Sequence, residues 1–127
     1  MHLIQRGRAM TPEKFRKLAL ELPGASEGEH MGHADFRVGG KIFATLGYPT
    51  FEFAVVLLSP AEQALFVKAA PATFSPVKGG WGRRGSTQVH LKAADRKLIE
   101  SALQAAWKSA RLRSAVRRDR STIEHRP

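Results

Sequence analysis

Two runs of alternating apolar residues meet at the dipeptide Gly39-Gly40. Phe36 and Val38 stand on one side of it, and Ile42, Ala44 and Leu46 on the other. A Gly-Gly pair tolerates the positive φ angles of a two-residue hairpin turn. Period-two alternation turns one face of each strand to a core, so Phe36 and Val38 share a face, as do Ile42, Ala44 and Leu46. Antiparallel sheet is therefore built into this stretch. From Glu27 to Leu58 the same texture persists, short runs of Phe, Val, Ile and Thr divided by glycines, and Gly47-Tyr48-Pro49 turns the chain into a further strand over Phe51 to Leu57.

Helical signals bracket the sheet. Thr11-Pro12-Glu13 combines a cap, a residue preset for the first helical position and an acid at the positive helix end. Phe15, Leu18, Ala19 and Leu22 follow at i, i+3, i+4 and i+7, which predicts a helix over Pro12 to Leu22, ended by Pro23-Gly24. Ser59 and Glu62 have capping-box spacing and open a short helix to about Ala69. Pro71 and Pro76 then bracket an irregular stretch. Val77-Lys78 reads as a brief strand, Gly79 to Gly82 as a loop, and Ser86 to Leu91 as a strand of the same sheet. A last helix starts near Asp95 and carries the stripe Leu98, Ile99, Ala102, Leu103, Ala106 and Trp107. After Arg111 the stripe fades while arginines accumulate, so the helix is expected to fray within a turn or two.

With 127 residues, 43% of them hydrophobic, the chain has material for one core. The expected class is α+β, a curved antiparallel sheet with N-terminal and C-terminal helices packed on it. Residues 1–9 are expected to be a disordered extension, 10–110 a single domain and 111–127 a flexible basic tail. Met10-Thr11 would make a natural start. No apolar run approaches the ~18–20 residues that cross a bilayer, and the N-terminus lacks the apolar core of a secretory signal. A cytoplasmic protein without membrane contact is expected, with a monomer favoured. Cysteine is absent, which excludes disulfides, thiolate metal sites and cysteine nucleophiles.

Charge is spread unevenly. Residues 1–70 hold eight Lys/Arg against seven Asp/Glu, whereas 71–127 hold thirteen against four. Clustered cations release condensed counterions on meeting phosphates, so the second half points to a polyanionic partner, DNA in the first reading. The segment from Lys78 to Thr87 carries that reading. Arg83 and Arg84 can fork onto phosphates, glycines allow close backbone approach, and Trp81 can stack on a base or wedge into a groove. Alternatively, Trp81 is a core cover under the loop and the glycines only turn. Lys41, with Arg37 before the hairpin, would make its tip a cationic wing, or would merely blunt an edge strand. Arg111, Arg113, Arg117 and Arg118 would add nonspecific, salt-dependent reach from the tail, although cations late in a helix also suit its negative end.

Other chemistry finds little footing. His30 and His33 have His-x-x-His spacing, with Asp35 or His90 as further candidate ligands, but Gly32 and the strand-like surroundings disfavour the helix that would put both on one face, and no metal or other cofactor is expected. Ser26, Ser59 and Ser86 lack a nucleophile elbow, there is no phosphate-cradling loop of the Walker type, and the carboxylates are scattered. The chain is not expected to be an enzyme. A second reading is a protein-interaction or small-ligand domain whose sheet face, with Tyr48, Phe51 and Phe53, recognises an acidic peptide or metabolite.

The order of features resembles the MmcQ/YjbR family: the Thr-Pro-Glu helix start, Leu22-Pro23-Gly24-Ala25, the run from Phe36 to Ala44, then Gly80-Trp81 and the closing Leu-rich helix. The likeness covers roughly Met10 to Asp119 and is most specific at Gly40-Lys41-Ile42-Phe43-Ala44. It implies a CyaY-like α+β domain with a suggested double-wing mode of DNA binding. Iron binding, which a CyaY-like fold also suggests, fits poorly, because Lys14, Arg16 and Lys17 interrupt the acidic ridge it would need on the first helix.

Overall fold

The computed structural model describes residues 10–124, with side chains described through Val116, so the expected extension over 1–9 lies outside the described residues. Helix α1 (Pro12–Leu20) starts where the sequence places it: the Thr11 hydroxyl accepts from the Lys14 backbone N–H, and Pro12 occupies the first turn. Six strands follow, interrupted by two helices: β1 (Ser26–His30), β2 (His33–Val38), β3 (Lys41–Leu46), β4 (Phe53–Leu57), α2 (Pro60–Ala69), β5 (Phe74–Pro76), α3 (Gly80–Arg83) and β6 (Ser86–His90). A 3-10 turn at Leu91–Ala93 leads to α4 (Arg96–Glu124). The strands form one open antiparallel sheet in the order β1-β2-β3-β4-β6-β5.

One face of the sheet meets α1 and α4. Phe36, Ala44, Val56 and Thr87 lie in one cross-strand row of it, and all four are fully buried. Phe36 packs edge-on against Phe15 of α1, and Ile99, Ala102, Leu103, Ala106 and Ala110 of α4 complete the core. Burying each large side chain contributes about 1.5–3 kcal/mol, which is what holds a 9-residue helix in place. The opposite face carries the row Gly28, Asp35, Thr45, Val55, Gln88 and Ser75.

Four details depart from the sequence reading. The β2–β3 ladder shifts register between Phe36 and Arg37, so that Phe36 pairs with Ala44 but Arg37 with Ile42. That bulge buries Phe43 and Ala44 side by side and puts Ile42 on the face of Arg37, not on that of Ala44. The edge strand is Phe74–Pro76 rather than Val77-Lys78, because a proline without an N–H is tolerated at a sheet edge. Residues Gly80–Arg83 form a helical turn and not an open loop. Finally, α4 continues to Glu124. Its fading apolar stripe is replaced by a different anchor: the Ser114 hydroxyl donates to the Gly39 carbonyl at 2.8 Å, and Ser114 is buried.

The helix starts read correctly from sequence. Ser59 and Glu62 form the reciprocal capping box, with bonds of 3.1 and 3.0 Å. Asp95 caps α4 by accepting from the Leu98 N–H at 2.9 Å. Among the described residues, no helix is long and apolar enough to cross a membrane.

Candidate nucleic-acid interface

Strand polarity decides which loops are neighbours. The Gly39-Gly40 turn joins β2 to β3, and the Val77 to Gly85 segment joins β5 to β6. The pairs Val38↔Lys41, Leu57↔Ser86 and Pro76↔Thr87 put both connections at the same end of the sheet. In the strand order they lie three inter-strand spacings apart, about 14 Å. Lys41 therefore shares a rim with Lys78, Trp81, Arg83 and Arg84, a juxtaposition that sequence alone left open.

The second connection is rigidly built. Three of its backbone N–H groups close internal bonds, Arg83 to Gly79, Arg84 to Gly80 and Gly85 to Gly82. A Cβ on Gly82 would lie 1.6 Å from the Val77 carbonyl oxygen, and one on Gly85 would lie 1.8 Å from that of Leu58. Both glycines are thus required by backbone packing, so the structural reading of them applies at these two positions. From α2, the Gln63 side-chain amide donates to the Gly82 and Ser86 carbonyls and to the Thr87 hydroxyl at 2.9, 3.0 and 3.2 Å. Nothing in the local sequence marks Gln63, since its partners are about twenty residues away.

Trp81 is 66% exposed and so is not a core cover. The Arg84 guanidinium lies over its ring, 5.7 Å from the centroid. Lys78, Arg83 and Arg84 are exposed and Lys41 is half-buried. On the hairpin side, Arg113 lies 3.5 Å from the Ile42 carbonyl and is exposed. Arg111 covers the Trp107 ring at 4.8 Å, and that indole donates to the Pro23 carbonyl in the α1–β1 link. Both arginines stand on a helix whose contacts reach the hairpin and the α1–β1 link. Arg117 and Arg118 are further along α4, where side chains fall outside the described residues.

Arg37 does not belong to the rim. Its guanidinium bonds both oxygens of Asp35, at 2.7 and 3.0 Å, on the face turned away from α1 and α4. Asp35 is fully buried and also accepts from His30 Nδ1 at 2.7 Å. The Arg37 hydrogen bond holds the Asp35 carboxyl below its usual range, and the His30 contact adds to that effect against the opposing cost of burial. The alternation of Asp35 and Arg37 on one strand face was the available signal for this pair.

The histidines have different partners. His30 and His33 oppose each other across the β1–β2 hairpin, with His30 engaged by Asp35 while His33 meets Tyr48 edge-on at 6.1 Å. His90 stacks on Phe53 at 4.8 Å. Among the described residues no group of three His, Cys, Asp or Glu is arranged to hold a metal ion. A groove of about 700 Å³ runs between α1 and the start of α4, lined by Met10, Lys14, Lys17, Leu18 and Arg96 among others. Tyr48, Phe51 and Phe53 are not among the residues that line it.

Comparison with known proteins adds two findings. The YjbR family model matches residues 20–109. The crystal structure of Deinococcus radiodurans protein DR2400, with domain DUF419, is similar to this chain with a TM-score of 0.63 at 16% identity, over 84% of this chain and 89% of that one. At that identity the likeness shows the fold alone. No curated protein matches.

Proposed function

The chain belongs to the YjbR family, and from that premise we propose that it is a non-enzymatic nucleic-acid-binding protein of low sequence specificity, holding phosphates along one end of its sheet. The observation that carries this reading is the shared rim: Lys41 near one connection, Lys78, Arg83 and Arg84 on the other, and Arg113 beside them on α4. Cations about 14 Å apart on a rigid edge can engage separate phosphates of one backbone at once. Low specificity follows from the surfaces involved. The rim offers side-chain cations on turns, and among the described residues no helix presents a face that combines Asn, Gln and Arg to read base edges in a major groove. Trp81, exposed and sandwiched against Arg84, supplies an apolar contact at the same place.

The test is fluorescence anisotropy of a labelled DNA duplex across a salt series, comparing wild type with Arg83→Ala/Arg84→Ala. Loss of two phosphate contacts should weaken binding and make the slope of log K against log salt shallower by about 1.8. An unchanged affinity and slope would remove the rim from the binding site.

A further inference from the structure

The rim leaves unused the most distinctive surface of the sheet, the face turned away from α1 and α4. Continuing the register from Asp35↔Thr45, His33 lies opposite Gly47, and Gly47 donates its N–H to Phe53, which pairs with His90. One row thus reads His30, His33, Gly47, Phe53, His90. His33, Phe53 and His90 are only half-buried, and so are Thr45 and Gln88 in the adjoining row. Rings occupy every position of the stretch from His33 to His90 except Gly47. Apart from the neighbouring residues Leu46 and Tyr48, a Cβ built there would have only His33 Nδ1 within 4 Å, at 3.4 Å, and no atom of Phe53 reaches it. His33 and Phe53 flank that gap from strands two spacings apart, about 9.6 Å. Two stacking gaps of about 3.5–4 Å fit within it, which admits one flat ring. Tyr48 and Phe51, 49% and 72% exposed, extend the aromatic surface at the mouth of the row.

We propose that this face is a base-stacking surface for single-stranded nucleic acid, centred on His33, Gly47, Phe53 and His90. The inference rests on the phosphate-binding reading of the rim and names the form of its ligand. A slot between rings calls for a partner with flat aromatic groups, and a chain of formal charge +10 calls for one with regularly spaced negative charge. A single strand has both, whereas a duplex keeps its base faces in its own stack. Cations on the face are each held in an ion pair, Arg37 with buried Asp35 and Lys92 with Glu52, so the stacking rings and not the face's own charge carry this surface, and the rim supplies the phosphate contacts. From Phe53 to the rim at Leu57 is four residues of one strand, about 13 Å, so one backbone can reach both surfaces.

The experiment compares anisotropy of labelled oligothymidylate, oligouridylate and an abasic deoxyribose-phosphate strand of equal length, on wild type, Phe53→Leu, His90→Ala and Arg83→Ala/Arg84→Ala. Circular dichroism and thermal midpoints establish that each variant is folded. Wild type should prefer the base-bearing strands over the abasic one. Phe53→Leu and His90→Ala should weaken the base-bearing strands about five- to a hundredfold and leave the abasic strand unchanged. The rim variant should weaken all three. Equal wild-type affinity for abasic and base-bearing strands overturns the stacking surface, a result independent of any variant. Unchanged oligonucleotide binding by folded Phe53→Leu and His90→Ala overturns it too, while a rim effect in the same series leaves the phosphate reading standing.

Discussion

Replacing Gln63 by alanine should loosen the Trp81 connection without touching any residue that contacts a ligand. The Gln63 amide has two N–H donors shared among the Gly82 carbonyl, the Ser86 carbonyl and the buried Thr87 hydroxyl. Thr87 keeps its own bond to the Gly85 carbonyl at 2.8 Å, so two carbonyl oxygens lose a partner in the variant. At about 1 kcal/mol net for each, the loss is about 2 kcal/mol. For a domain of this size that corresponds to a melting temperature about 8 °C lower. Urea denaturation followed by circular dichroism should show a lower midpoint with an unchanged slope. Gln63→Glu should be worse than alanine, because a carboxylate there faces two carbonyl oxygens and a hydroxyl whose hydrogen is already given to the Gly85 carbonyl. A Gln63→Ala protein that melts within a degree or two of wild type, or a Gln63→Glu protein as stable as Gln63→Ala, would refute the view that this amide organises the connection.

Further outcomes follow from the same geometry. Asp35, with its folded-state pKa depressed chiefly by Arg37, stabilises the fold above the ordinary carboxylate range and loses that contribution as pH falls through the depressed value. Wild type should therefore lose its stability advantage over Asp35→Asn on acidification, measured by urea titrations from neutral to acid pH; a constant difference between the two would contradict the assignment. Gly85→Ala and Gly82→Ala should each fail to give folded protein by circular dichroism, since their Cβ atoms overlap carbonyl oxygens. Ser59→Ala should lower stability by about 1 kcal/mol through loss of the α2 cap, read from the same denaturation curves. A chain ending at Val116 keeps Ser114 and should melt like the full chain, with a shallower salt dependence of DNA binding; a large fall in its melting temperature would place structural contacts further along α4.

What the sequence could and could not reveal follows from the range of each interaction. Caps at Thr11, Ser59 and Asp95 and the Gly39-Gly40 turn are local, involving residues within three positions, and each was readable. Face assignment along β3 failed at Ile42 because a bulge adds one residue, and the alternating pattern contains no mark of where the ladder slips. The length of α4 was underestimated for a related reason: past Ala110 it is held by a serine on a distant carbonyl rather than by an apolar stripe. At the candidate site, the identities of Lys41, Lys78, Trp81, Arg83 and Arg84 were visible as charge and aromatic content. Their common position at one sheet end required strand order, and Gln63 required a contact across nineteen residues. The stacking row was hidden for the same reason, being assembled from β2, the β3–β4 loop, β4 and β6.

The contact between Gly39 and Ser114 links two positions seventy-five residues apart through volume as well as through their hydrogen bond. A Cβ at position 39 would lie 2.5 Å from the Ser114 hydroxyl oxygen and 2.9 Å from its Cβ, and Gly39 has φ of +58°. Relatives that keep this docking must therefore change the two sites together: any side chain gained at 39 has to be matched by a smaller one at 114, and a helix residue bulkier than serine has to push the hairpin off α4. Substitution histories at these positions should be correlated even where nothing between them changes, which makes the pair a marker for how far along the family the long helix remains seated on the sheet.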